Sequence, residues 1–327
     1  MTLAVKLLAA AAILGAAGTA ALNVVDKRRE DAAEAAYPPV GQIVMVGKIR
    51  IRAVVMGEGP DLVLIHGASG SIRDMTFDFA PELAKHYRVI VFDRPGMGYS
   101  DHTDPVYAGA WATTAESPAE QAVVLQAAAA QLGAEKPIVL GHSYGGAVAL
   151  AWALERPNNI AALVDVSGVS NPWPDPLDWL YRVNGTSIGG ALFPPLLTAF
   201  ISDNYVRQVV DGIFAPQPPT PGYDDFIGAG LSLRRDAIRA NARQVNTLLP
   251  HIRKMVPRYG EIHIPVEIIH GDADTIVPLA IHSIPLEHEI AGAHLVVLPG
   301  IGHMPHHVAM PAVIAAVDRA ATRAGLR

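Results

Sequence analysis

The chain contains no cysteine, which excludes disulfides, thiol catalysis and cysteine-ligated metals and leaves the redox compartment open. It also lacks any basic run longer than Lys27-Arg28-Arg29 and carries a net charge of −6, so the phosphate-neutralising surface that a nucleic-acid partner needs is missing. A nucleotide fingerprint is absent too, because Gly96-Met97-Gly98 has no third glycine and is followed by Ser100. His303, His306 and His307 stand close together, yet no carboxylate lies at matching ligand spacing around them, so neither a metal nor another cofactor is expected. Finally, no charge interrupts the stretch from Leu7 to Val25, which is rich in Ala, Leu, Val and Ile. A helix of that length rises about 28 Å, close to the roughly 30 Å core of a bilayer. The expectation is an uncleaved single-pass membrane anchor, with the bilayer as a partner. The alternative is a signal peptide, with Lys6 ahead of the apolar run and small residues around Ala17–Ala21 for cleavage, giving a secreted or periplasmic protein. Lys27, Arg28 and Arg29 favour a cytoplasmic C-terminal side, against which Lys6 competes.

What is present begins with Gly141-His142-Ser143-Tyr144-Gly145, placed where the apolar run Ile138-Val139-Leu140 gives way to a helix-like stretch from Ala147 to Arg156. A serine on so sharp a strand-to-helix turn is pushed out above the sheet, and glycines flank it because side chains would collide there. Serine remains a weak nucleophile until a base takes its proton, so a histidine and a carboxylate must follow. Both do. Val266 to Gly271 reads as a buried strand followed by Asp272-Ala273-Asp274, and His294 to Leu298 as another strand followed by Pro299-Gly300-Ile301-Gly302-His303. The chain order is Ser143, Asp274, His303. Asp272 is the competing acid, better placed to bond backbone N–H groups in its own turn.

With His66-Gly67-Ala68 after the strand Leu62–Ile65, and Asp93-Arg94-Pro95-Gly96-Met97-Gly98-Tyr99-Ser100 after the strand Val89–Phe92, these residues resemble the α/β-hydrolases, serine-nucleophile branch with a helical cap, from about Val40 to the C-terminus. The resemblance implies a catalytic triad of Ser143, His303 and Asp274, and an oxyanion hole formed by the backbone N–H groups of Ala68 and Tyr144, with Ser69 or Gly70 as substitutes for Ala68. It implies that His66, His142, Asp93 and Arg94 orient loops. Aspartate-nucleophile relatives are disfavoured because position 143 is serine.

Short alternating runs at Gln42–Val46 and Lys48–Met56 predict an antiparallel edge before the parallel strands. Ser117-Pro118-Ala119-Glu120 is a capping box that should start a helix running to Leu132. The fold class expected is α/β, a doubly wound, mostly parallel sheet with an inserted helical cap and the N-terminal anchor helix. The organisation expected is an anchor and spacer over 1–36, the first part of the core over 37–168, a cap over 169–260, and the rest of the core over 261–327. In the cap, Phe193-Pro194-Pro195 reads as punctuation between helices. Trp173, Trp179, Leu192, Phe193, Leu196, Leu197 and Phe200 suggest an apolar acyl or alkyl site. The function expected is hydrolysis of a small apolar carboxylic ester through an acyl-enzyme. Carbon-carbon bond hydrolases, aminopeptidases and perhydrolases share this triad, and a ligand-binding protein on a hydrolase scaffold is the non-enzymatic alternative.

Overall fold

A computed structural model describes residues 2–174 and 176–327. Eight strands form one sheet in the order β1-β2-β4-β3-β5-β6-β7-β8. They are β1 (Gln42–Val46), β2 (Ile49–Met56), β3 (Asp61–Ile65), β4 (Arg88–Phe92), β5 (Ile138–His142), β6 (Ala162–Val166), β7 (Val266–Gly271) and β8 (His294–Leu298). β1 pairs antiparallel with β2 and β2 with β4, and all later neighbours are parallel. β5, β6 and β7 are buried at every position, as strands covered on both faces must be. The helix Pro118–Gln131 begins at the expected capping box, with both reciprocal hydrogen bonds formed.

Between β6 and β7 lie the helices Trp179–Asn184, Ser187–Phe200, Asp203–Phe214, Tyr223–Ile227, Ala229–Ser232 and Arg235–Met255. The expected break at Phe193-Pro194-Pro195 does not occur, since the helix Ser187–Phe200 runs through both prolines. A proline inside a helix removes the donor for the carbonyl four residues earlier. Here that carbonyl, Gly190 O, accepts instead from Arg239 Nε at 2.8 Å, so the break is compensated by a neighbouring helix.

The membrane anchor expected over Leu7–Val25 is a misreading, and the single-pass location and bilayer partner fall with it. Among the described residues no helix is long and apolar enough to cross a membrane. The apolar run is part of one helix, Leu3–Ala36, in which alanine and glycine supply little apolar surface and Asn23 interrupts the run. Nor is the charged stretch after it a spacer. Arg29 donates to Ala199 O and Ile201 O at 2.8 and 3.1 Å, closing the last turn of the helix Ser187–Phe200. Glu30 accepts from the backbone N–H of Arg235 at 3.0 Å, which places a carboxylate at the N-terminus of the helix Arg235–Met255, where the helix dipole favours it. The same carboxylate holds the Arg235 guanidinium, and Asn23 Oδ1 accepts from it at 2.9 Å.

One core residue carries a pH prediction. Asp165 on β6 is fully buried and its carboxyl is raised to about 7, chiefly by burial, which the nearby His270 and the Gly168 N–H only partly offset. Its unfolded value is about 3.9. A folded pKa above the unfolded one gives a contribution that is present at low pH and lost as pH rises toward 7 and beyond. Asp165→Asn should therefore melt a few degrees above the parent chain at pH 8, with the gap narrowing at pH 5. A gap independent of pH in thermal melts would contradict a protonated Asp165.

Candidate active site

Ser143 follows the last residue of β5 and precedes the helix Tyr144–Glu155, and it holds φ 55° and ψ −121°. A non-glycine residue in this region is strained, and the surrounding contacts enforce it. Its N–H donates to Val166 O at 3.1 Å, and its carbonyl accepts from Gly146 and Val169. The flanking glycines are required by space: a Cβ on Gly141 would lie 2.1 Å from Gly145 O, and one on Gly145 would lie 2.2 Å from Ile65 O. The crossing of β3, β5 and the helix after Ser143 is therefore too close for any side chain. Ser143 itself is 8% exposed.

Asp274 lies just beyond β7. Its Oδ1 accepts from the backbone N–H groups of Ile276 and Val277 at 2.8 and 2.9 Å. Its Oδ2 faces His303 Nδ1 at 2.7 Å and His270 Nε2 at 3.2 Å. Burial alone would raise this carboxyl, but the neighbouring imidazoles of His270 and His303 outweigh it and hold it well below the usual carboxylate range, while His270 Nε2 itself donates to Val277 O at 2.7 Å. His270 is in turn fixed at its other nitrogen, where Ser283 Oγ lies 2.6 Å from Nδ1. The competing acid, Asp272, is exposed and accepts from Gly300 N at 2.6 Å, so it staples the loop before His303 and does not bond its own turn as expected. His303 also receives support through its carbonyl, which lies 2.9 Å from His142 Nε2. Ser143 Oγ makes no hydrogen bond to His303 among the described residues; such contacts commonly tighten only with substrate bound.

The loop after β3 is held from below. His66 Nε2 accepts from Arg94 N at 3.0 Å, which makes Nδ1 the donor to Gly67 O at 2.9 Å. Burial first, and Arg94 second, lower this imidazole to about 3, so it stays neutral. Arg94 is fully buried, its guanidinium 4.3 Å from the centre of the Tyr144 ring, and it donates to His66 O, Gly67 O, Gln121 Oε1 and Gln244 Oε1. Because a trans peptide points its carbonyl and the next N–H in opposite directions, anchoring Gly67 O turns the Ala68 N–H away from the arginine. The Ser69 N–H is taken by Asn241 Oδ1 at 2.7 Å, and the Gly70 N–H turns to Gly67 O at 3.4 Å. Among the described residues the N–H groups of Ala68 and Tyr144 have no hydrogen-bond partner. Asp93 accepts from Ile72 N at 2.7 Å and Tyr99 N at 2.9 Å, which ties the two loops together.

Sequence reading missed His270, Gln244 and Asn241. His270 left a signal, as a polar residue inside the apolar run of β7; Gln244 and Asn241 did not, because they reach the site from the cap helix Arg235–Met255. The apolar cap residues are arranged differently from the expectation. Trp179, Leu192, Leu196 and Phe200 are 59%, 56%, 44% and 71% exposed, because they lie on the outer face of their helices. A cavity of about 1080 Å³ between the β1-β2 edge, the 96–109 loop and the start of the helix Arg235–Met255 is lined by none of Ser143, Asp274 and His303.

Comparison with known proteins agrees with this architecture. The 2-hydroxymuconate semialdehyde hydrolase of Pseudomonas sp. strain CF600 is 30% identical over 81% of this chain and 88% of its own. The pimeloyl-[acyl-carrier protein] methyl ester esterase of Vibrio campbellii is 34% identical over 69% and 81%. Among solved structures, a membrane phospholipase A superposes with a TM-score of 0.65 over 97% of both chains at 22% identity, a likeness of fold. The profile of the alpha/beta hydrolase family matches residues 62–317, and the chain belongs to that family.

Proposed function

We propose that the protein hydrolyses a carboxylic ester with an apolar acyl or alkyl part, through an acyl-enzyme on Ser143. The observation that carries this reading is the 2.7 Å contact between His303 Nδ1 and an Asp274 carboxylate that is itself held by two backbone N–H groups. A carboxylate on Nδ1 leaves Nε2 as the basic nitrogen. His303 then removes the Ser143 proton as Oγ attacks the carbonyl, and returns it to the leaving alcohol. The Ala68 and Tyr144 N–H groups receive the oxyanion, and their lack of other partners supports that role. Water, activated by the same histidine, releases the acid.

A second reading is carbon-carbon bond hydrolysis of a dienol-ketoacid, which the similarity to the semialdehyde hydrolase favours. Such a substrate carries a carboxylate that needs a cation. The buried arginine beside Tyr144, Arg94, is committed to two carbonyls and two amide side chains, which favours the ester.

A fluorophosphonate probe should give a single adduct at Ser143 by intact mass and peptide mapping, and none in Ser143→Ala. p-Nitrophenyl esters should be turned over faster than a 2-hydroxy-6-oxo-dienoate; the opposite order would replace the ester reading with the second one. Asp274→Asn should lower kcat by up to about 10⁴-fold, the cost of a wrong histidine tautomer in the serine-protease precedent. Asp272→Asn should stay within about tenfold, or about 1.4 kcal/mol of transition-state stabilisation. Steady-state kinetics with circular dichroism as a folding check decides the ranking, and its reversal would move the triad acid to Asp272.

A further inference from the structure

A cluster of buried side chains lies behind the histidine loop. His306 and His307, in the short helix Pro305–Val308, face Asp74 in the helix Ile72–Thr76, and one ligand atom from each of the three lies within 4.8 Å of the others. The separations from Asp74 Oδ1 are 3.1 Å to His307 Nε2 and 3.7 Å to His306 Nε2. Zinc binds nitrogen and oxygen donors at about 2.0–2.2 Å in a tetrahedron, whose ligand-to-ligand edges are then about 3.3–3.5 Å. The two edges to Asp74 bracket that range.

Two further observations point to a cation. His306 is fully buried, and neither of its ring nitrogens has a hydrogen-bond partner among the described residues. Its ring lies between those of His142 and His307, with centroids 4.3 and 4.2 Å away and the planes tilted by 50° and 46°. Leaving a buried polar group unsatisfied is unfavourable, and natural interiors rarely do so without a reason. The hydrogen bonds of His307 to Asp78 and Asp74, at 2.7 and 3.1 Å, satisfy His307 and leave His306 stranded; a metal would take up one nitrogen of each ring. The second observation is the outer arrangement. His307 Nδ1 lies 2.7 Å from Asp78 Oδ1, so a carboxylate fixes the tautomer that presents Nε2 inward, the arrangement that supports metal-bound histidines. Tyr223 donates to Asp74 Oδ1 at 2.8 Å and orients that carboxylate. Without a metal, Asp74 and Asp78 hold a proton on His307; a bound metal would displace that proton, and the two carboxylates would then balance its double positive charge.

We infer that Asp74, His306 and His307 bind a divalent transition-metal ion, with zinc the best match. Two imidazoles disfavour the hard cations calcium and magnesium, which take oxygen ligands. The ion would be structural. It would pin the turn three residues beyond His303 to the helix that follows the Ala68 loop, while His142 stands between the cluster and His303, its ring centroid 4.9 Å from that of His303. Asp74 is far from the two histidines in sequence, which is why ligand spacing gave no sign of it.

The test uses the full chain, stripped with a chelator, dialysed, and titrated with zinc chloride alone by calorimetry. One zinc per chain should bind, and its affinity should fall at least tenfold in His306→Gln and in Asp74→Asn, each checked for folding by circular dichroism. His263→Gln, at an exposed histidine, should leave binding unchanged. Cobalt titration of the unaltered chain provides a readout that does not depend on the variants folding. Intense visible bands of a tetrahedral site with nitrogen ligands are expected. No zinc uptake, uptake equal in His306→Gln, or only the weak bands of octahedral cobalt would overturn the site. None of these readouts depends on esterase activity.

Discussion

The Asp274 carboxylate is the constraint on which the rest of the site depends. A buried charge is costly unless its oxygens are satisfied, and here Oδ1 takes two backbone N–H groups and Oδ2 takes the His303 imidazole, with His270 Nε2 3.2 Å away. The backbone pair fixes the turn after β7, and that turn fixes the direction in which Oδ2 points. His303 is thereby oriented from a rigid strand end, and His270 is oriented from inside the strand itself. Residues at the carboxyl ends of parallel strands are well suited to this, since the sheet sets their relative positions before any loop contributes.

The other half of the site is built on a different economy. Arg94 is buried beside Tyr144 and satisfied largely by neutral acceptors, and burial lowers its guanidinium to about 10. Its hydrogen bonds to His66 O and Gly67 O set the peptide plane of Ala68, while Gln244 and Asn241 bring the cap helix Arg235–Met255 onto the same loop. The N-terminal helix then holds that cap helix by its first turn, through Glu30. The chain of dependence runs from the N-terminal helix through the cap to the loop that carries Ala68.

The parts of this arrangement that were legible in the sequence are those fixed by local rules. Gly141 and Gly145 mark a turn with no room for a side chain, Ser117-Pro118-Ala119-Glu120 caps a helix, and apolar runs ending at glycine mark β5 and β7. What could not be read comes from long-range contacts. Pro194 and Pro195 look like a helix break until Arg239 is seen accepting the role of the missing donor. The run Leu7–Val25 looks like an anchor until Asn23, Arg29 and Glu30 are seen on one helix with it, turned toward the cap. The apolar residues of the cap gave no sign of which face they would occupy, and Leu192, Leu196 and Phe200 lie on the outer one. Asp74 joins His306 and His307 only because two strand-end loops meet above the sheet.

The central claim is that Asp274 holds His303 with its proton on Nδ1 and a basic Nε2. Nitrogen-15 NMR of the imidazoles, with His303 assigned by its loss in His303→Gln, measures this directly. At neutral pH the account predicts a protonated, pyrrole-type Nδ1 and an unprotonated, pyridine-type Nε2, with the pattern changed in Asp274→Asn. A neutral His303 protonated on Nε2 in the unaltered chain would contradict it.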